Sequence, residues 1–175
     1  MTLQTPLVRW TLSLLVLVTT ATTSWAGPKD VPFKASVATQ EKLGFDPVRC
    51  PGTILTGTTT GQGTASHMGA VRLSASDCPT TADGFNFFFS NGELTLTGAN
   101  GDTLRARYQG TLLPIAGSSP VLHAISGTFD VSGGTGRFRG ARGGGNLQGT
   151  QDLFTLKGLY RVDGRLSYGD DSDRD

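Results

Sequence analysis

Histidine is the side chain best suited to acid–base chemistry near neutral pH, and the chain contains two, His67 and His123. His67 has the parity of Ala65 and Val71 in an alternating segment. An unbroken strand would therefore direct its imidazole into the interior, where it could exchange protons or bind a ligand. A bulge at Gly69 would instead turn the ring towards solvent. Because no carboxylate is placed to orient either imidazole, a structural or surface role for His67 is favoured over a catalytic one.

Other patterns that support specific chemistry do not occur in usable form. Two histidines without a cysteine pair or spaced carboxylates do not make a zinc site, so we expect no metal. The glycines from Gly134 to Gly140 have the spacing G-x-G-x-x-x-G, and no amphipathic helix is predicted after them. This does not fit a dinucleotide fingerprint, so we expect no cofactor. The sequence also has no G-x-S-x-G elbow, and we assign no catalytic residue.

Two aromatic side chains join His67 as candidates for a ligand site. Tyr108 follows the charged Arg107, and Phe129 precedes the charged Asp130, so each aromatic ring belongs to the apolar face of a predicted strand. If the strands enclose a lumen, His67, Tyr108 and Phe129 are the residues best placed to contact a bound molecule. His67 or Tyr108 could then tune proton transfer.

The elements that must position these residues are short strands. The chain is rich in glycine and has apolar residues at every second position, without a helical repeat of apolar residues. Asn100-Gly101 lies between two alternating runs and predicts a hairpin, because a type I′ turn needs positive φ at both central residues. Asn91-Gly92 is a weaker signal of the same kind. Eight or nine strands are predicted, at residues 33–39, 53–59, 64–76, 85–90, 93–98, 103–113, 123–131, 146–151 and 153–166, with loops at 42–52 and 114–120. Sequential short strands predict an all-β fold, a single eight-stranded antiparallel barrel that closes on itself.

The first residues have the order of a secretory leader. Arg9 precedes an apolar run over residues 12–18, and the small residues Ser24 and Ala26 provide a cleavage site. The apolar run is shorter than the roughly 20 residues that cross a bilayer, which disfavours a membrane anchor. The predicted division of the chain is a signal peptide at 1–26, cleaved after Ala26, a barrel domain at 27–168 and an acidic disordered tail at 169–175. The protein is therefore predicted to be periplasmic or secreted.

The charge of the mature chain is balanced. Loss of the leader removes Arg9, which leaves 14 Lys and Arg against 14 Asp and Glu. A chain without net charge has no global field that attracts polyanions, so nucleic acid is not an expected partner.

Cys50 and Cys78 are the only cysteines in the sequence. In an exported protein an isolated pair of this kind is expected to form a disulfide. Such a bridge would stabilise the fold by roughly 3 to 4 kcal/mol through loop closure in the unfolded chain. A reactive thiol is the disfavoured alternative, because the sequence shows no basic or helix-terminal neighbourhood for it.

The most specific segment of the chain is FDVSGGTGRFRGARG at residues 129–143. It predicts the end of a strand, a glycine turn, and a compact turn whose Phe138 plugs one end of the barrel. The structural turn motif consists of Gly133, Gly134, Gly136, Phe138 and Gly140.

This segment resembles the G-G-T-G-x-F-x-x-A-x-G signature of plant dirigent proteins and the related segment of allene oxide cyclases. LFTLKG at 153–158 is similar to the last long strand of that superfamily, and GTASHMG at 63–69 is similar to a stretch of secreted bacterial members, to which the resemblance is closest. The resemblance covers residues 33–166 and implies an eight-stranded barrel. It transfers no functional residue, because no catalytic Glu, Asn or Cys of the cyclases and no pocket Asp of the dirigent proteins aligns with this chain.

Two functions fit these observations. The favoured one is a non-catalytic binding or scaffold barrel for a small apolar molecule or a protein partner. The alternative is an enzyme of the cyclase or isomerase type, similar to allene oxide cyclases, which steers a reactive substrate in the lumen. The resemblance to dirigent-like barrels also implies that copies of the chain could associate through the outer barrel face.

Overall fold

The computed structural model describes residues 29–53 and 55–169. In chain order the elements are β1 (Lys29–Phe45), β2 (Leu55–Ala65), β3 (Gly69–Thr81), β4 (Phe87–Gly98), β5 (Thr103–Pro114), β6 (Leu122–Gly134), a 3₁₀ turn (Gly136–Phe138), β7 (Arg142–Asp152) and β8 (Lys157–Tyr168). Each strand pairs antiparallel with the next, and β8 pairs with β1. The strands therefore form a closed barrel.

The alternation of side chains decides which residues fill this barrel. Along β1 the side chains of Phe33, Ala35, Val37 and Thr39 are buried, while the residues between them are exposed. The same period of two recurs on the other strands and directs one face of each into a shared core. Every described strand has a neighbour on both sides, which leaves no sheet edge open between strands.

The barrel has two different ends. At one end, which we call the mouth, β1, β3, β5 and β7 finish, and the connections that follow these four strands lie there. At the opposite, closed end, the glycine-rich turn after β6 directs Phe138 inwards. Its ring is fully buried and lies 5.2 Å from the ring of Tyr168. Gly136 and Gly140 have φ values of 54° and 70°, which glycine adopts without strain.

The predicted all-β, eight-stranded antiparallel barrel is confirmed. The alternative with nine strands is wrong, because Asn91 and Gly92 form an irregularity inside β4 and not a turn between two strands. The single strand predicted over 64–76 is also wrong, since a turn at residues 66–68 separates β2 from β3. At the mouth, β1 continues to Phe45, into the segment predicted as a loop.

The predicted disulfide between Cys50 and Cys78 is confirmed, and it links the β1–β2 connection to β3. The two Cα atoms are 5.4 Å apart, a separation common for disulfides. The predicted signal peptide and, apart from Gly169, the predicted acidic tail lie outside the described residues. Within residues 29–53 and 55–169, no helix is long and apolar enough to cross a membrane.

Candidate functional site

A cavity of about 400 Å³ opens at the mouth of the barrel. Much of its wall is apolar and comes from several strands and connections around the mouth. The apolar wall residues include Leu43, Leu55, Phe87, Phe89, Leu112 and Leu153. A volume of this size is within the range of small-molecule sites, which is about 300 to 1,000 Å³.

The floor of this cavity is formed by two tyrosines. Tyr108 of β5 and Tyr160 of β8 line the cavity from below and also line a much smaller apolar void of about 40 Å³ beneath it. Below them, large side chains such as Phe33 and Phe129 fill the barrel, with their ring centroids 6.2 Å apart. The lumen is therefore packed in its lower half and open in its upper half.

Polar side chains from five strands meet at this floor. The Tyr108 hydroxyl donates a hydrogen bond of 2.7 Å to Asp77 Oδ2 on β3. The Tyr160 hydroxyl donates a hydrogen bond of 2.8 Å to Gln151 Oε1 on β7. Gln151 Nε2 in turn donates to Glu41 Oε2 on β1. Two carboxylates thus lie in one site, each held by a neutral donor.

Gly57 of β2 provides the space in which the two carboxylates meet. It lies opposite Asp77 in the β2–β3 register, between the strands that carry Glu41 and Asp77. A Cβ atom at this position would overlap with both Glu41 Oε1 and Asp77 Oδ1. Both oxygens therefore approach the same point above Gly57, and any larger residue there would displace at least one of them.

Burial changes the acid–base properties of these groups. Desolvation and the nearby charge of Asp77 raise the pKa of Glu41 from 4.5 to about 7, although its hydrogen bond from Gln151 acts in the opposite direction. Desolvation also raises the pKa of Asp77, against the lowering effects of the Tyr108 hydrogen bond and the Arg49 charge. Burial, followed by the negative charge of the nearby carboxylates, raises the pKa of Tyr108 and of Tyr160, so both hydroxyls stay protonated.

The disulfide anchors a segment whose positive charge acts on this site. Cys50 anchors the β1–β2 connection to Cys78, directly after Asp77, and Arg49 is the residue before Cys50. The Arg49 guanidinium donates hydrogen bonds of 2.9 and 2.8 Å to the carbonyl oxygens of Ser76 and Asn91. Arg49 is therefore held against the barrel wall, where its charge offsets part of the negative charge of Asp77.

The structure separates the three predicted lumen residues. Tyr108 lies in the floor of the open cavity. Phe129 is buried in the packed half of the barrel and borders only the small void among the described cavities. The turn motif with Phe138 lies at the closed end, away from the mouth.

The inward position that an unbroken strand would give His67 does not occur. The chain reverses direction between β2 and β3, and His67 lies in that turn with φ of 65°. Its side chain is exposed at the closed end, where Nε2 lies 2.9 Å from the carbonyl oxygen of Pro32. Strand β2 ends at Ala65, and Ser66 and His67 belong to the turn that follows it. The alternation of inward and outward side chains therefore does not extend to His67.

Sequence reasoning missed four floor residues, Glu41, Asp77, Gln151 and Tyr160. A signal for two of them exists, because Glu41 continues the parity of Phe33 to Thr39. Asp77 likewise continues the parity of Val71 to Ala75. If only apolar residues are expected at inward positions, both strands are predicted to end before Glu41 and Asp77, and these two residues are missed.

An apolar rim surrounds the mouth. The exposed large apolar side chains of the described residues all lie at this end of the barrel or on the connections there. They are Leu43, Phe45, Val48, Leu55, Phe85, Phe88, Leu113 and Phe154. Leu43 and Leu55 belong both to the rim and to the cavity wall, so apolar surface continues from the outside into the cavity.

Solved structures share this architecture. The pterocarpan synthase dirigent protein GePTS1 matches with a TM-score of 0.51 and 13% identity, over 88% of this chain and 97% of its own. The chain has the barrel fold of dirigent proteins. The pterocarpan synthase dirigent protein PsPTS1 matches with a TM-score of 0.50 and 11% identity, over 82% of this chain and 98% of its own. Likeness at this identity concerns the fold alone.

Comparisons at the level of sequence find nothing. No protein-family model matches the chain, and no curated protein matches it. The resemblance to secreted bacterial barrels stays a prediction, and the chemistry of the site has to be argued from its own residues.

Replacement of Glu41 by glutamine is expected to change how stability depends on pH. The unfolded chain loses the Glu41 proton near pH 4.5, while the folded chain keeps it to about pH 7. Between these values the folded state binds more protons, so the free energy of unfolding falls as pH rises. At about 1.4 kcal/mol per pKa unit, Glu41 contributes a fall on the order of 3 kcal/mol.

Urea denaturation of the unaltered protein and of Glu41→Gln at pH 5 and pH 8 measures this effect. The stability of the unaltered protein should fall relative to that of Glu41→Gln as pH rises. Asp130→Asn is the control, because Asp130 is exposed on the outer wall, whereas Glu93 pairs with Arg49. Parallel changes in all three proteins would show that Glu41 titrates normally.

Proposed function

We propose that this protein binds a small, mainly apolar molecule in the cavity at its mouth. The observation that carries the proposal is the division of the lumen, which is packed below Tyr108 and Tyr160 and open above them. A barrel that served only as a structural wall would gain stability from filling this space with side chains. The apolar wall would hold the body of the ligand, and the polar floor would bind one end of it.

The apolar rim supports the same role. Exposed apolar side chains are ordinary when they are scattered, but here they concentrate around one opening. A ligand of low solubility could pass from this rim to the cavity wall along Leu43 and Leu55 without crossing a polar surface.

Replacement of Leu112 by tryptophan is expected to weaken binding strongly. Leu112 lines the cavity and is 9% exposed, whereas Gln109 of the same strand is exposed on the outer wall, away from the rim. Leu112→Trp fills part of the cavity, while Gln109→Trp adds a tryptophan outside it. We expect the fluorescent probe N-phenyl-1-naphthylamine to bind the unaltered protein and Gln109→Trp, and to bind Leu112→Trp at least about tenfold more weakly.

The fluorescence titration includes circular dichroism of each variant to verify that the barrel is folded. Equal affinity in all three folded proteins would place the probe outside the cavity. Absence of binding to the unaltered protein would contradict the proposal directly.

A second candidate function is proton-transfer catalysis, as in a cyclase or isomerase. It is favoured by a single observation, the carboxyl of Glu41 with a pKa of about 7 at the floor of an apolar cavity. A general base works best when its pKa is near the working pH. Tyr108 and Tyr160, which stay protonated, could donate hydrogen bonds to a developing negative charge after rotation of their hydroxyls.

The probe 5-nitrobenzisoxazole tests this capacity without knowledge of the natural substrate. A carboxylate takes the C3 proton, the C–H electron pair forms the nitrile, the N–O bond breaks to give the phenolate, and the carboxylate later returns the proton to water. We expect catalysis above the rate of free acetate, increasing with pH through about 7 as Glu41 loses its proton. Glu41→Gln should abolish it, and Asp130→Asn, on the exposed outer wall, should leave it unchanged. A rate equal to that of free acetate would exclude Glu41 as a base.

We further propose that the protein acts outside the cytoplasm, after removal of residues 1–26. The disulfide between Cys50 and Cys78 supports this, because such bridges persist in oxidising compartments. The intact mass of protein recovered from its natural compartment should correspond to a chain that begins at Gly27. A mass that includes Met1 would contradict the proposal. Association of copies through the outer barrel face also stays a prediction.

A further inference from the structure

The hydrogen-bonding capacity of the cavity floor is unbalanced. The floor's donors are largely committed, since both tyrosine hydroxyls and one amide hydrogen of Gln151 already bond within it. The second amide hydrogen of Gln151 and the hydroxyl hydrogen of Thr59 are left over. Among the described residues, Glu41 Oε1 and Asp77 Oδ1 receive no hydrogen bond from a side chain or backbone donor, although both approach the point above Gly57.

A third buried oxygen lies beside the two carboxylates. Thr59 lies opposite Glu41 in the β1–β2 register and points inwards like its neighbour Gly57 two positions earlier. The Thr59 side chain is 1% exposed, and its hydroxyl forms no hydrogen bond of good geometry among the described residues, although it lies close enough to Tyr160 to lower the pKa of that tyrosine. A buried hydroxyl without a well-formed hydrogen bond is costly, so a rearrangement of the floor on ligand binding could stabilise it.

We propose, on the basis of the binding function above, that the cavity selects ligands which carry a protonated amine at one end of an apolar body. Such an ammonium group brings three N–H donors and a positive charge. The floor offers two carboxyl groups, each with one oxygen that accepts no hydrogen bond from the described residues, and Arg49 offsets only part of the charge of Asp77. The apolar body would pack against the cavity wall.

Other head groups fit this floor less well. An anionic group would meet two carboxylates in a poorly solvated site and would be repelled. A neutral hydroxyl group brings only one donor and no charge, so it would bond to fewer of the free carboxylate oxygens and would not offset their charge. A metal ion would need more ligands than two carboxylates, and the described residues contain no group of three His, Cys, Asp or Glu side chains that could hold one.

Three probes with one apolar body test the selection. They are 4-phenylbutylamine, 4-phenylbutanol and 4-phenylbutanoate, titrated by calorimetry at pH 8, where Glu41 is mostly ionised. We expect the amine to bind at least about tenfold more tightly than the alcohol, because hydrogen bonds to charged groups are worth more than neutral ones. The carboxylate should bind most weakly.

The outcomes separate this inference from the function on which it rests. If no probe binds, the binding function itself is contradicted. If the alcohol or the carboxylate binds as tightly as the amine, the cavity binds apolar molecules but the selection for a cation is overturned. This comparison uses the unaltered protein and does not depend on the folding of any variant.

A pair of variants tests the origin of the selectivity. Asp77→Asn keeps an oxygen that can accept from Tyr108 but removes the charge, and Asp130→Asn makes the same change on the exposed outer wall. We expect Asp77→Asn to weaken binding of the amine about tenfold and to leave binding of the alcohol nearly unchanged. Asp130→Asn should alter neither. An equal loss for amine and alcohol in Asp77→Asn would indicate a merely structural role and overturn the assignment.

Discussion

Closure of the barrel is the constraint on which the rest of the structure depends. Because β8 pairs with β1, every strand has two neighbours, and each residue is committed either to the inside or to the outside. The interior of an eight-stranded barrel is just wide enough for side chains to fill it. Whether a given level is packed or open is therefore decided by the few side chains that point inwards at that level.

This protein uses the two halves of its lumen differently. Below Tyr108 and Tyr160, large apolar side chains and Phe138 fill the space and supply the hydrophobic stabilisation. Above them, Gly57 leaves the inner wall open, and Glu41 and Asp77 occupy the space. Burial of two carboxyl groups opposes folding, which the hydrogen bonds from Gln151 and Tyr108 offset only in part. The packed half therefore stabilises a site that is itself unfavourable for folding, an arrangement common at functional sites.

The sequence alone predicts the barrel and its disulfide because both depend on patterns that are local or countable. Alternation of apolar and polar residues marks the strands, and when a chain has only two cysteines each has one possible partner. The site is harder to predict because its carboxylates occupy inward positions that the sequence pattern would reserve for apolar residues. At Glu41 and Asp77 the side chains still alternate between inside and outside, but the inward residue is charged. His67 shows the opposite situation, because parity alone would direct its ring inwards, whereas the chain turns at residues 66–68 and His67 has a positive φ.

The two candidate functions place different demands on Glu41. A general base needs its lone pair free when the substrate arrives, whereas a cation site keeps the carboxylate ionised and paired with its ligand. An ammonium group bound above Gly57 would lower the pKa of Glu41 and occupy the oxygen that proton transfer requires. Binding of a cation and abstraction of a proton therefore exclude each other at this carboxylate. The polar end of the ligand would therefore decide which of the two proposed functions this site can serve.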